Sequence, residues 1–292
     1  MRIGVDSYAY HRLLGEVRQG EEPPLRPPFV RGYLDVAAIA RELDLDVLSL
    51  ETNVLPPAAE LDLDELRAEA GDGVGLVFAH GHPQGLEYGA RADQAAELET
   101  WIARSIDGGL PVLRIVNGGP WARREQPPEG RVERTVAALR RPCALAAEGG
   151  LALALENHAD LDLAEMEAVL ESLDAPHLGV CFDTTNWVRV GDDPVDAARR
   201  LAGRVHMVHL KDHVVRPDDG VTGPSSVELG EGEVDLRGVL DALLTAAPDL
   251  PVCVELGHLG LGGDEVAMVE RGVTWLRTEV TRRDAAIAGK ER

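Results

Sequence analysis

Four apolar runs in this chain each end in a group able to hold a metal ion or move a proton. Leu151 to His158 reads LALALENH and ends in Glu156, Asn157 and His158; LGVCFDTTNW carries Asp183, RVHMVHLKD carries His209 and PVCVELGH carries Glu255. Each run has the composition of a strand buried on both faces, as in a parallel sheet covered by helices, so its terminal polar groups stand at a rim. Three carboxylates and an imidazole are hard donors suited to Mn²⁺, Mg²⁺, Co²⁺ or Zn²⁺. A cation bridging Glu156 and Glu255 would keep both ionised while leaving each an oxygen for proton transfer. For any one of the four taken alone, capping of a neighbouring helix is the competing reading.

The elements that must position these groups alternate from end to end. RIGVD is followed by a helical pattern near Tyr33 to Leu43, DVLSL by Leu61 to Ala70, VGLVFAH by Gln94 to Ile106, and PVLRIV by Arg131 to Ala147. LALALE is followed by Leu163 to Leu173, LGVCF by Pro194 to Ala202, VHMVHL by Leu236 to Leu243, and VCVEL by Asp264 to Val280. Eight β-then-α units with no linker-like break predict the α/β class and one closed (β/α)₈ TIM barrel over residues 1–292, with an open doubly wound sheet as the alternative. Asp160 to Asp162, Asp192 to Pro194, and Asp264 supply N-cap chemistry at helix starts. Residues 11–32 and 213–233 form the two long connections, and loops after barrel strands emerge on the rim that carries the four candidate ligands.

Composition narrows the function classes. With 51 acidic and 29 basic residues the formal net charge is −22, so nucleic acid and anionic membranes are disfavoured as partners. Cys143, Cys181 and Cys253 lie in apolar segments without a metal-binding or disulfide spacing. The N-terminus enters a strand directly and no run approaches the length of a membrane span, which predicts a cytoplasmic protein. No Gly-rich fingerprint for a dinucleotide follows a strand, and no phosphate cradle is visible at the seventh or eighth loop.

The phrases L-E-N-H at 155–158, F-D-T-T-N at 182–186, V-H-L-K-D at 208–212, G-E-G-E-V-D-L at 230–236 and V-E-L-G at 254–257, in this order, resemble the xylose isomerase-like TIM-barrel superfamily. That group of sugar phosphate isomerases and epimerases includes ketose 3-epimerases, inosose dehydratases and, more distantly, endonuclease IV. The resemblance implies one divalent cation on Glu156, Asp183, His209 and Glu255, with the two glutamates as general base and acid on opposite sides of a substrate carbon. Elementary chemistry agrees, because a metal on a carbonyl and its neighbouring hydroxyl acidifies the intervening C–H and stabilises the enediolate. Many relatives carry His three residues after the Asp; this chain has Asn186, which orients a substrate hydroxyl or marks a lost function. The extra ligands of a three-zinc endonuclease site are missing, which with the charge argues against DNA cleavage.

Further substrate-binding candidates surround the quartet. They are His80 and Glu51 at the ends of the third and second strands, Arg114 inside PVLRIV, Lys211 beside the His209 ligand, and Arg216 in the seventh loop. Arg114 is expected to contact Glu156 or a substrate oxygen, since a buried charge needs a partner. Lys211 and Asp212 read either as a loop-shaping ion pair or with Lys211 as an electrophile; His206 reads as buried structure. Trp121 and Trp187 either flank a sugar or pack under a lid. The expected function is a metal-dependent isomerase or epimerase of a small polyhydroxylated carbonyl compound, a sugar or cyclitol. The alternatives are a keto-cyclitol dehydratase and a non-catalytic sugar- or metabolite-binding barrel, and a homo-oligomer is possible under each.

Overall fold

The computed structural model describes residues 1–18, 21–214, 225–259 and 263–290. Its strands are β1 (Arg2–Asp6), β2 (Val47–Glu51), β3 (Gly75–His80), β4 (Val112–Ile115), β5 (Ala152–Glu156), β6 (Leu178–Asp183), β7 (Val205–Leu210), β8 (Asp212–Val214), β9 (Ser225–Val227) and β10 (Pro251–Val254). Eight of them close into a barrel in the order β1, β10, β7, β6, β5, β4, β3, β2, with every pairing parallel. The sequence-based choice of a closed barrel over an open sheet is therefore the observed one.

Helices α1 (Tyr33–Glu42), α2 (Leu63–Ala70), α3 (Ala92–Asp107), α5 (Arg131–Glu148), α6 (Leu163–Leu173), α8 (Pro194–Leu201), α9 (Leu236–Ala246) and α10 (Glu265–Lys290) answer the predicted patterns within a few residues, α10 running further. Two short rim helices, α4 (Pro120–Glu125) and α7 (Asn186–Val190), do not, because about one or two turns carry too little periodicity to be read. Asp162 and Glu165 form a reciprocal capping box on α6, and Asp193 followed by Pro194 starts α8. Among the described residues no helix is long and apolar enough to cross a membrane.

Strand alternation sorts the side chains into two sets. Leu48, Phe78, Leu113, Leu153, Phe182, Val208 and Val252 are buried outward against the helices, each such burial contributing about 1.5–3 kcal/mol. Val47, Val77, Val112, Ala154, Cys181, Met207 and Cys253 fill the lumen as a separate apolar layer.

The two long connections depart from plain loops. Residues 213–233 do not form an unbroken loop, since β8 and β9 pair antiparallel within that region, with His213 opposite Ser226. Residues 11–18 and 21–32 are tied across the mouth: Arg12 Nε to Glu265 Oε1 at 2.6 Å, Leu259 N to Glu21 Oε1 at 3.2 Å, and Glu16 Oε1 to His82 Nε2 at 3.1 Å.

Candidate metal centre

Two residues beyond each lumen-filling side chain, alternation returns the next one to the lumen. Ala154, Cys181, Met207 and Cys253 are thus followed by Glu156, Asp183, His209 and Glu255. Gly4 on β1, Val47 on β2 and Val112 on β4 are followed by Asp6, Ser49 and Arg114. The barrel's own period converts an apolar layer into a polar one at its C-terminal mouth.

One ligand atom from each of Glu156, Asp183, His209 and Glu255 lies within 4.8 Å of all the others, and all four residues are buried. Glu156 Oε2, Asp183 Oδ2, His209 Nδ1 and Glu255 Oε2 form no hydrogen bond of good geometry among the described residues. These atoms are matched instead by charge, Glu156 Oε2 with Arg114, Asp183 Oδ2 with Lys211 and Glu255 Oε2 with His209, and the gathered hard donors fit a cation. Glu156, Cys181 and His209 also converge, but burial pushes the Cys181 thiol up to about 11, so it is no thiolate at neutral pH. The hard quartet is the set on offer.

The motifs around the quartet lock it in place. Asn157 Nδ2 donates to the Asp183 carbonyl at 2.9 Å, and Asp183 N donates to Asn157 Oδ1 at 2.8 Å. Thr184 Oγ1 donates to the Lys211 carbonyl at 2.7 Å and accepts from Lys211 N at 2.9 Å. Asp183 Oδ1 accepts from the N–H groups of Thr185 and Asn186, which turns its other oxygen away from α7.

Charged neighbours set the electrostatics. Arg114 Nη1 stands 3.0 Å from Glu51 Oε1, and Nη2 makes an ion pair with Glu156 Oε2. Burial pushes Glu51 well up against the pull of Arg114. Lys211 Nζ lies 2.7 Å from both Asp183 Oδ2 and Glu255 Oε1. Burial works to raise the Glu255 carboxyl, but Lys211 and His209 override it and hold it well below the usual carboxylate range.

The remaining residues expected from the sequence to line the site occupy varied positions. Asn186 Nδ2 is 3.5 Å from Glu156 Oε1, and its Oδ1 accepts from Arg189 Nη1 at 3.2 Å. His80, by alternation, shares the outward side with Phe78, and neither ring nitrogen has a hydrogen-bond partner among the described residues. Lys211 and Asp212 are not paired with each other; Asp212 accepts from the N–H groups of His213, Gly230, Gly232 and Val234. His206 is only half-buried, its Nδ1 3.1 Å from the Leu153 carbonyl. Trp187 is fully buried against Phe182, while Trp121 meets His158 edge-on at 6.2 Å. Arg216 lies outside the described residues.

Four further residues, of which the sequence reading placed only His158 at the rim, stand around the site. Asp6 Oδ2 lies 3.5 Å from His209 Nε2. His158 Nδ1 is 2.8 Å from the Gly118 carbonyl, and burial, with Arg114 adding, holds its pKa well below the ordinary imidazole value. Tyr8 and Arg189 stand over the mouth. Asp6, an acid closing the first strand, and His158, the end of the L-E-N-H phrase, both carry a signal in the sequence.

Comparison with known proteins agrees with this architecture. The chain is 35% identical over 156 residues to a 2-epi-5-epi-valiolone 7-phosphate 2-epimerase from an Actinoplanes species, covering 51% of this chain and 53% of that one. It is 38% identical over 82 residues to a mannonate dehydratase from Brucella canis, covering 28% and 20%. The matches thus span about half or less of the length of these curated relatives. The solved structure of an L-ribulose 3-epimerase superposes with a TM-score of 0.72 at 19% identity, over 98% of this chain and 97% of that one, a likeness of fold. Residues 37–279 match the family described as the xylose isomerase-like TIM barrel. With that match spanning nearly all the barrel units, the chain belongs to the xylose isomerase-like TIM-barrel family.

Proposed function

We propose that the chain is a divalent-metal-dependent isomerase or epimerase of a small polyhydroxylated carbonyl compound. The observation that carries this reading is the buried convergence of Glu156, Asp183, His209 and Glu255 within 4.8 Å of one another. Bound there, a divalent ion would polarise a carbonyl and its neighbouring hydroxyl and so acidify the C–H between them.

The chain's own residues supply the rest. Glu156 at the end of β5 and Glu255 just beyond β10 are separated around the barrel by β6 and β7, so they flank the mouth from different sides. One carboxylate takes the α-proton and the other, protonated beforehand, gives its proton to the opposite face, which inverts the carbon and leaves the two protonation states exchanged. Arg114 and Asn186 orient Glu156; Lys211 and His209 keep Glu255 ionised and ready to accept. The tied segment 11–18 lies over the mouth and limits the entry of water.

A second reading, loss of a β-hydroxyl after the same proton abstraction, is supported by the match to mannonate dehydratase. It needs a further acid, which His158 does not supply, because its Nδ1–H donates to the Gly118 carbonyl and burial keeps the ring neutral, leaving Nε2 without a proton.

Metal analysis of the purified protein is expected to find about one divalent ion per chain, lost in Glu156→Gln. Incubation with D-fructose, D-tagatose and keto-inositol in D₂O is expected to place deuterium at the α-carbon, and an enone absorbance would indicate the dehydratase. Metal retained without exchange into any of them would leave a binding barrel and end the isomerase reading.

A further inference from the structure

Cys181 lies on β6 two residues before Asp183 and on the same face, so about 6.6 Å deeper in the lumen along the strand. It is fully buried, with Glu156 as its register partner on β5 and Met207 on β7. One ligand atom from each of Glu156, Cys181 and His209 lies within 4.8 Å of the other two. Donors around a tetrahedral ion stand about 3.5 Å apart, so this set, like the quartet, has to draw in by about 1 Å to hold one.

A cysteine by itself would be apolar filling, but the histidine beside it is not. His209 is fully buried, and its Nδ1 and Nε2 face carboxylate oxygens of Glu255 and Asp6 at 2.6 and 3.5 Å. Neither nitrogen makes a hydrogen bond of good geometry among the described residues. Sulfur is also concentrated at this level of the barrel. Cys181, Met207 and Cys253 are three of the seven residues in the lumen layer, in a chain with only three cysteines and four methionines. Cys253 is the register partner of His209 on β10. A layer of soft donors therefore underlies the ring of hard ones, and Glu156 and His209 reach both.

Softness decides which set an ion prefers. Mn²⁺ and Mg²⁺ favour carboxylate oxygen and gain little from sulfur, whereas Zn²⁺ and Cd²⁺ bind thiolate strongly enough to displace its proton. Asp183 and Glu255, the two quartet members left out of the deeper set, are already matched by Lys211 at 2.7 Å each. An ion that moves toward Cys181 thus leaves behind two carboxylates that have a cation of their own.

We propose that the centre has a second, deeper position in which Glu156, Cys181 and His209 take a thiophilic divalent cation, Zn²⁺ or Cd²⁺, and hold it away from the mouth. The metal–sulfur bond forms as the Cys181 proton leaves to the buffer. Because Glu156 and His209 serve both positions, an ion held there excludes a hard ion from the quartet and inhibits the protein. This rests on the quartet reading above and names a regulation of that same site.

Cd²⁺ titrated anaerobically into the ion-free and the Mn²⁺-loaded protein tests it. Ultraviolet absorption reads thiolate-to-cadmium charge transfer, and electron paramagnetic resonance reads the Mn²⁺ released. The charge-transfer band is expected to saturate at about one Cd²⁺ per chain, with Mn²⁺ released in equal amount. In Cys181→Ala the band is expected to vanish and Cd²⁺ affinity to fall about tenfold or more, with the Mn²⁺ dissociation constant within about threefold of the parent's. Cys253→Ala and Cys143→Ala should keep the band. No band in the parent, a band that persists in Cys181→Ala, or equal weakening of Mn²⁺ and Cd²⁺ in both Cys181→Ala and Cys181→Ser overturns the proposal. Mn²⁺ binding without a Cd²⁺ band removes the deeper position and keeps the quartet. A band in a protein that does not hold Mn²⁺ keeps the deeper position and removes the quartet.

Discussion

Asp6 Oδ2 and His209 Nε2 stand 3.5 Å apart in the barrel lumen, on strands separated by β10, and neither residue reaches solvent. On the other side of the imidazole, Nδ1 lies 2.6 Å from Glu255 Oε2, within the quartet. A carboxylate behind a ligating histidine fixes the ring's tautomer and orientation and raises its basicity. Ser49 Oγ donates to the same Asp6 oxygen at 2.5 Å, and Tyr8 N donates to the other at 2.8 Å, so the Asp6 carboxylate is itself held.

Asp6→Asn keeps an acceptor for the Tyr8 N–H but removes the negative charge behind His209. The Mn²⁺ dissociation constant is expected to rise about 10- to 100-fold, as measured by calorimetry on the folded variant. A value within twofold of the parent's would show that Asp6 does not tune the site.

Lys211 contacts two candidate ligands at 2.7 Å each and so compensates the charge of Asp183 and Glu255. Lys211→Met strands those carboxylates in a buried setting, with an expected cost of about 3 kcal/mol in EDTA. Because a divalent ion can supply the missing charge, saturating Mn²⁺ should raise the melting temperature more in the variant than in the parent. Equal stability of the two proteins in EDTA would remove this role.

The quartet was legible because apolar runs ending in Glu156, Asp183, His209 and Glu255 repeat one grammar, and the barrel's period of two delivers all four to the lumen. Asp6 obeys the same rule at the end of RIGVD, where Gly4 below it makes the apolar run weaker than the other four. Arg189 sits on a helix of five residues, too short for a face to be read. The adjacency of Lys211 and Asp212 suggested a pair, whereas strand-like backbone sends successive side chains opposite ways. β8 and β9, of three residues each, are held by pairing that no local pattern announces.

His80 makes stability depend on pH. Burial, with Arg114 adding, lowers its pKa to about 4, below the ordinary value of 6.5. Between those values the unfolded chain takes up a proton that the folded one refuses. Stability is therefore full above pH 6.5, falls as pH drops to about 4 and is flat below, a change on the order of 3 kcal/mol from this group. His80→Gln should flatten the dependence of the urea midpoint on pH over that window by up to about one proton. His82 and His158 titrate in both proteins, so the difference between the two curves isolates His80. Superimposable slopes would mean that His80 is not held neutral by burial.

Asp212 organises the turn after the hairpin, accepting from four backbone N–H groups: His213 at 2.9 Å, Gly230 at 3.0 Å, Gly232 at 2.9 Å and Val234 at 3.2 Å. Close approach is what demands glycine at 232, where a Cβ would lie 2.0 Å from Asp212 Oδ1 and 2.6 Å from the His213 carbonyl oxygen. Gly232→Ala must push the turn off the carboxylate, and Asp212→Ala leaves the same N–H groups without their acceptor. Each is expected to cost about 2–3 kcal/mol, read from urea denaturation. Asp212 follows Lys211, so a displaced turn should also weaken Mn²⁺ binding through the two candidate ligands that Lys211 touches. Because both variants act on one carboxylate, the double variant should cost little more than the worse single one. Fully additive losses would show that glycine and carboxylate act separately and that the clasp is not the unit holding this part of the rim.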